Sequence, residues 1–143
     1  MAKCTVNRKN VRTFRADDIH GIMEIEREVF PKGRYPKELM MQYARAYPDS
    51  FIVTEVEKDL VGYMIYDREG HVFSMAVKPA FRRKGLGRKM FTHARERVEG
   101  RLWLEVRSKN AEAIRFYKSM GMRITGKVPG YYETDDALVM VGE

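Results

Sequence analysis

Residues 72–89 read VFSMAVKPAFRRKGLGRK, and this stretch limits the fold more than any other. Val72 to Val77 has the length and apolar composition of a buried strand, and Pro79 ends it. Arg82-Arg83-Lys84-Gly85-Leu86-Gly87 then sets two glycines behind three cations. From Leu86 the pattern is that of an amphipathic helix, with Met90, Phe91 and Ala94 at helical spacing. Strand, basic glycine loop and helix N-terminus in that order build an anion site. Glycine lets the backbone turn and a ligand approach closely. The first helical N–H groups lack internal partners and lie at the positive end of the dipole. A phosphate or pyrophosphate is the expected guest. The loop is not a dinucleotide fingerprint, because no Gly-x-x-Gly follows, and it lacks the Gly-Lys-Ser/Thr of a P-loop.

The remaining chain supplies the scaffold. Asn10 to Arg15 reads as a short strand, and Asp17 or Asp18 caps a helix with Ile19, Ile22, Met23, Ile25 and Val29 as its apolar stripe. Phe30 to Pro36 breaks that helix, and Leu39, Met40, Tyr43 and Tyr47 mark a second. Phe51 to Val56, Leu60 to Tyr66 and His71 to Val77 form an antiparallel meander with tight turns. The helix after the glycine loop runs to about Glu99. A strand over Arg101 to Arg107, a helix over Ala111 to Met120, and strands over Met122 to Val128 and Ala137 to Val141 complete the order βααβββαβαββ. This is an α+β fold, a central mixed and mostly antiparallel sheet with helices on both faces. The strands on either side of the glycine-loop helix are expected to be parallel neighbours. At 143 residues the chain is expected to form one domain, residues 1–143.

A net charge of +7 suits a polyanionic ligand, a nucleic-acid surface or the ribosome, without choosing among them. The single cysteine, Cys4, cannot form an internal disulfide, and His20, His71 and His93 are too scattered for a metal site. The first ten residues have no apolar core of a signal peptide, and no run approaches membrane-helix length. A cytoplasmic protein is expected, with no membrane contact and no specific nucleic acid, since Lys and Arg are dispersed.

Leu102 to Met122, LWLEVRSKNAEAIRFYKSMGM, together with Arg-x-x-Gly-x-Gly, resembles the GNAT superfamily of N-acetyltransferases. Within it the chain is most similar to the ribosomal-protein alanine and archaeal Ard1-like enzymes that acetylate protein N-termini. Met122 departs from the usual Phe after this glycine, a matter of packing. The resemblance implies acetyl-CoA as cosubstrate and no metal. It places the pantetheine arm on the backbone of Met75, Ala76 and Val77. The pyrophosphate would lie on the loop amides of Arg83, Lys84, Gly85, Leu86, Gly87 and Arg88, behind Arg82. Asn110 is an N-cap by its residue type, and the resemblance adds a bond to the cofactor arm.

Two side chains are candidates for the proton transfers that acyl transfer to an amine requires. Glu105 alternates with Trp103 and Arg107 on one strand face. The residues alone allow it an ion pair with Arg107 or Arg101; the resemblance makes it the base. Tyr117 falls on the apolar face of its helix with Ala113, Ile114 and Met120. By periodicity it is a core tyrosine; the resemblance makes it the acid for the departing thiolate. His71, a turn-edge histidine by position, becomes an auxiliary base or relay, its type titrating near ~6.5. The resemblance also assigns the acceptor peptide to Phe30, Pro31 and Tyr35 in one loop and to Tyr131 and Tyr132 in another, with Glu28 orienting the amine. Expected partners are a protein N-terminus and a ribosome or ribosomal protein. The alternatives are a lysine or small-amine acetyltransferase, or an acetyl-CoA-binding regulatory module.

Overall fold

A computed structural model of the protein describes residues 11–142. Asn10 and Cys4 lie outside the described residues. The elements are β1 (Val11–Thr13), α1 (Ile19–Val29), α2 (Lys37–Ala46), β2 (Phe51–Val56), β3 (Asp59–Tyr66), β4 (Val72–Val77), α3 (Leu86–Arg95), β5 (Trp103–Arg107), α4 (Ala111–Ser119), β6 (Arg123–Tyr132) and β7 (Asp135–Val141). Short 3-10 turns occupy Ala16–Asp18 and Pro79–Phe81. The α+β class and the order βααβββαβαββ are as expected.

The strands form two antiparallel sheets, β1-β2-β3-β4 and β5-β7-β6. The expected parallel pairing of β4 with β5 is reduced to one bridge, His71 with Trp103. A register shift between Ile65 and Tyr66 in the β3–β4 ladder supplies the physical cause, because such an irregularity bends the strand. Past the bridge the two strands diverge, and the gap between them is the main feature of the molecule.

One apolar core gathers Ile22, Ile25, Met40, Phe51, Val53, Tyr63 and Ile65 under α1 and α2. The other gathers Ile52, Met64, Met90, Phe91, Leu104, Met122 and Met140 under α3 and α4. Strands β2 and β3 are buried on both faces, which is why they read as continuous apolar runs. Truncating Ile25, fully buried, to Ala would cost about 2–5 kcal/mol.

Three local expectations are corrected. Asp18 starts α1 without a side-chain cap. Its carboxylate instead accepts the Arg15 N–H at 2.7 Å and both Arg12 guanidinium nitrogens at 2.9 Å. Helix α3 stops at Arg95 instead of near Glu99: Arg97 N–H closes on the Ala94 carbonyl three residues back, a 3-10 tightening of the last turn, and Glu99 N–H leaves the helix for the Arg68 carbonyl of an earlier turn. The β6–β7 ladder continues through Tyr132 and Asp135, with a shift across the Pro129-Gly130 region that carries the two tyrosines.

Candidate active site

The gap between β4 and β5 presents unpaired backbone. Lys78 N–H donates to the Val61 carbonyl, and the register pairs Ala76 with Tyr63, so Ala76 turns its backbone groups toward β3. Phe73, Met75 and Val77 therefore turn theirs the other way. Accordingly the Phe73 carbonyl lies 3.5 Å from the Tyr35 hydroxyl, and the Val77 carbonyl accepts Arg82 Nε at 2.9 Å. Of the three strand positions expected to hold an extended ligand arm, Met75 offers both its backbone groups to the gap and Val77 its N–H; the Val77 carbonyl is taken by Arg82 and Ala76 is paired with β3.

The glycine loop closes one end. Gly85 has φ +82 and Arg83 φ +63, the second a strained value for a residue with a Cβ. Among the described residues, no backbone amide from Arg83 to Arg88 donates a hydrogen bond. Gly87 is needed for close packing: a Cβ there would lie 2.6 Å from a Phe116 ring carbon and 3.4 Å from Met75 Cε. Arg82 points back into the fold, bonding Val77 and pairing with Glu112 at 3.3 Å. Arg83, Lys84 and Arg88 are exposed around the free amides. A row of free N–H groups at a helix start, ringed by cations, can hold a pyrophosphate.

At the point where β4 and β5 part, His71 Nε2 and Glu105 Oε1 are 2.8 Å apart. The partner of Glu105 is thus His71, the residue that leads into β4, and neither Arg107 nor Arg101. His71 stacks on Trp103 (ring centroids 4.0 Å, planes 11° apart) and meets the edge of Phe73 at 4.7 Å. Both members of the pair are about one-fifth exposed, so they are fixed yet reachable. Tyr117 packs beside Phe91 and Phe116, and burial, with nearby Tyr132 adding to it, pushes its phenol up to about 12. Its hydroxyl bonds no described residue. Asn110 caps α4, its Oδ1 accepting the Ala113 N–H at 3.1 Å. The amide nitrogen of Asn110 remains for a ligand.

The two loops expected to hold the acceptor come together around this pair. Tyr131 and Tyr132 meet edge to face at 4.9 Å. Burial pushes Tyr132 up to about 12, with Tyr131 and then Glu105 adding to the shift. Tyr35 is likewise pushed up to about 12 by burial, with Tyr43, Tyr132, Glu26 and Tyr131 contributing. Phe30 packs into the core under α1, and Pro31 is exposed. Glu28 is exposed, with its carboxylate 3.6 Å from Lys78.

The buried carboxylate of α1 is Glu26, two residues earlier, at 1% exposure. Sequence reasoning passed over it. Glu26 accepts the Tyr35 N–H at 2.9 Å and the Tyr63 hydroxyl, and that hydroxyl also lies 2.7 Å from Ser74 Oγ. Burial holds its pKa above the usual glutamate value, against the lowering effect of Tyr63, Tyr35 and Arg34. The signal was there in the spacing: Ile22, Ile25, Glu26 and Val29 share one helical stripe, and a glutamate in an apolar stripe calls for buried partners.

Among the described residues, no group of three or more His, Cys, Asp or Glu could hold a metal ion, and no helix is long and apolar enough to cross a membrane. The fold and gap define an acyl-transfer scaffold, and comparison with known proteins agrees. The acetyltransferase (GNAT) family model matches residues 19–122. An uncharacterized N-acetyltransferase of Methanocaldococcus jannaschii is 35% identical, over 92% of this chain and 89% of its own. An N-alpha-acetyltransferase of Sulfurisphaera tokodaii is 28% identical over 91% and 90%. The crystal structure of Ard1 from Thermoplasma volcanium superposes with a TM-score of 0.81 at 32% identity, covering 93% of this chain and 97% of that one. The chain belongs to the acetyltransferase (GNAT) family and is an acetyl-transfer enzyme.

Proposed function

We propose that the enzyme transfers the acetyl group of acetyl-CoA to the free α-amino group of a protein N-terminus. The observation that carries this reading is the Glu105–His71 pair, set between a loop of free amides on one side and three tyrosines from two converging loops on the other. Relatives named N-alpha-acetyltransferase support it.

The residues present fit the cosubstrate. The free amides of 83–88 and the exposed cations suit its pyrophosphate, while the outward backbone of Met75 and Val77 suits its amide-bearing arm. When bound, acetyl-CoA supplies an activated thioester carbonyl. Glu105 and His71 take the proton that the attacking amine loses as its N–C bond forms. Glutamate accepts it directly or through the imidazole that touches it. Tyr117, held protonated by its raised pKa, gives its proton to the sulfur as the C–S bond breaks. An α-amino group, with a pKa of about 8, asks less of such a base than a lysine at about 10.4. Tyr35, Tyr131 and Tyr132 narrow the acceptor entrance and favour a flexible chain end.

The test is acetyl transfer, read by mass spectrometry, to a panel of peptides varied in their first two residues, beside lysine peptides with blocked N-termini. Acetylation confined to free N-termini supports the reading. Acetylation confined to the blocked set moves the enzyme to the lysine class.

A further inference from the structure

The acceptor side carries three cations, Lys32, Arg34 and Arg107, outside any ion pair among the described residues. The Arg107 guanidinium lies over the Tyr132 ring, 4.2 Å from its centroid. One terminal nitrogen faces the Lys32-Gly33-Arg34 turn, 3.9 Å from where a Gly33 Cβ would stand. Among the described residues Lys32, Arg34 and Arg107 form no ion pair. Arg34 donates to the Pro31 carbonyl of its own loop at 3.5 Å, and its charge also acts on buried Glu26.

Glu105, Asp135 and Asp136 are already engaged. Glu105, on the same strand face as Arg107, is held by His71. Asp135 accepts Ser108 Oγ and the Lys109 N–H, and Asp136 accepts the Gly130 N–H beside Lys127. The guanidinium rests on the Tyr132 ring, and among the described residues its N–H groups donate no hydrogen bond, which leaves them for a two-pronged bond with a carboxylate.

Resting on the N-terminal reading above, we infer that the enzyme selects acceptors whose second residue is acidic, with Arg107 as the specificity-determining residue and Lys32 and Arg34 adding charge. The spacing sets the position. Glu105 and Arg107 are two residues apart on one strand face, about 7 Å along it. An extended peptide with its amine at Glu105 advances about 3.4 Å per residue, and the side chain of its second residue spans the rest.

The experiment measures kcat/KM for free-amine peptides identical except for Glu, Gln or Lys at position two. The wild-type enzyme is expected to prefer Glu over Lys by about tenfold or more, with Gln between. The ratio should shrink as salt rises from 20 to 500 mM, as expected for an exposed pair. R107E should reverse the Glu-to-Lys order, and K32E/R34E should lower the ratio independently if R107E does not fold. A wild-type ratio within twofold of one, or a ratio that neither charge reversal changes, overturns the inference while leaving N-terminal transfer standing. If no free-amine peptide is acetylated, the N-terminal reading itself fails, and this inference with it.

Discussion

His71 and Glu105 meet at 2.8 Å across the point where β4 and β5 cease to pair. Glu105 lies in β5 and His71 immediately before β4, so the contact depends on the crossover through the glycine loop that brings these segments together and on the bulge in the β3–β4 ladder that then parts them. Removing the base should cost about 100-fold or more in kcat/KM. Glu105→Gln should show that loss with little change in the acetyl-CoA KM. His71→Ala should lose less, and its pH–rate profile should change shape, because the imidazole shares the proton path. Steady-state kinetics over pH 6 to 10 check both, and full activity in both variants would contradict the assignment.

Tyr117 should act as an acid throughout the working pH range. Burial raises its pKa to about 12, so the phenol keeps its proton well beyond pH 10 and the rate should show no alkaline fall from this group below that point. Tyr117→Phe should lower kcat by about 10- to 100-fold with the peptide KM unchanged. Thermal melting separates this from a packing loss, since Phe keeps the contacts with Phe91 and Phe116.

Gly85 and Gly87 should fail differently when replaced by Ala. At Gly87 the new methyl meets the Phe116 ring, costing about 1–3 kcal/mol of stability and shifting the helix start. At Gly85 nothing lies within 4 Å of the new Cβ, and the cost is the φ of +82. Denaturant titration gives the stability change, and calorimetry with CoA gives the affinity. Gly87→Ala is expected to weaken CoA binding, because it displaces the free amides.

Glu26 makes a pH-dependent contribution with a definite sign. Its folded pKa lies above the unfolded value, chiefly through burial, so the folded state binds this proton more tightly. Stability from this group is full below the unfolded pKa and is lost as pH rises through the folded one. Glu26→Gln removes that dependence. The variant should therefore gain in melting temperature relative to wild type between pH 4 and pH 7. Its peptide KM should rise, because only one oxygen remains for both Tyr35 N–H and the Tyr63 hydroxyl. An unchanged peptide KM would show that Glu26 does not position the acceptor loop.

Much of this was legible in the residues. The apolar runs of β2 to β4, the glycine loop and the stripe of α1 specify their elements locally, and the segment 102–122 carries the family pattern. The partner of Glu105 was not legible, because His71 lies 34 positions away and pairs through a crossover whose closeness depends on one bulge. Glu26 could be suspected from its stripe, but its partners Tyr63 and Tyr35 come from separate elements. The outward-facing backbone of Met75 and Val77 follows from ladder register, which composition does not encode.

The central claim is acceptor choice, and one peptide tests it directly. A peptide with a free α-amino group and an internal lysine is incubated with enzyme and acetyl-CoA, and the acetyl group is located by tandem mass spectrometry. The account predicts acetyl on the N-terminal nitrogen, absent in Glu105→Gln under the same conditions. Acetyl on the lysine side chain with the N-terminus left free would contradict it.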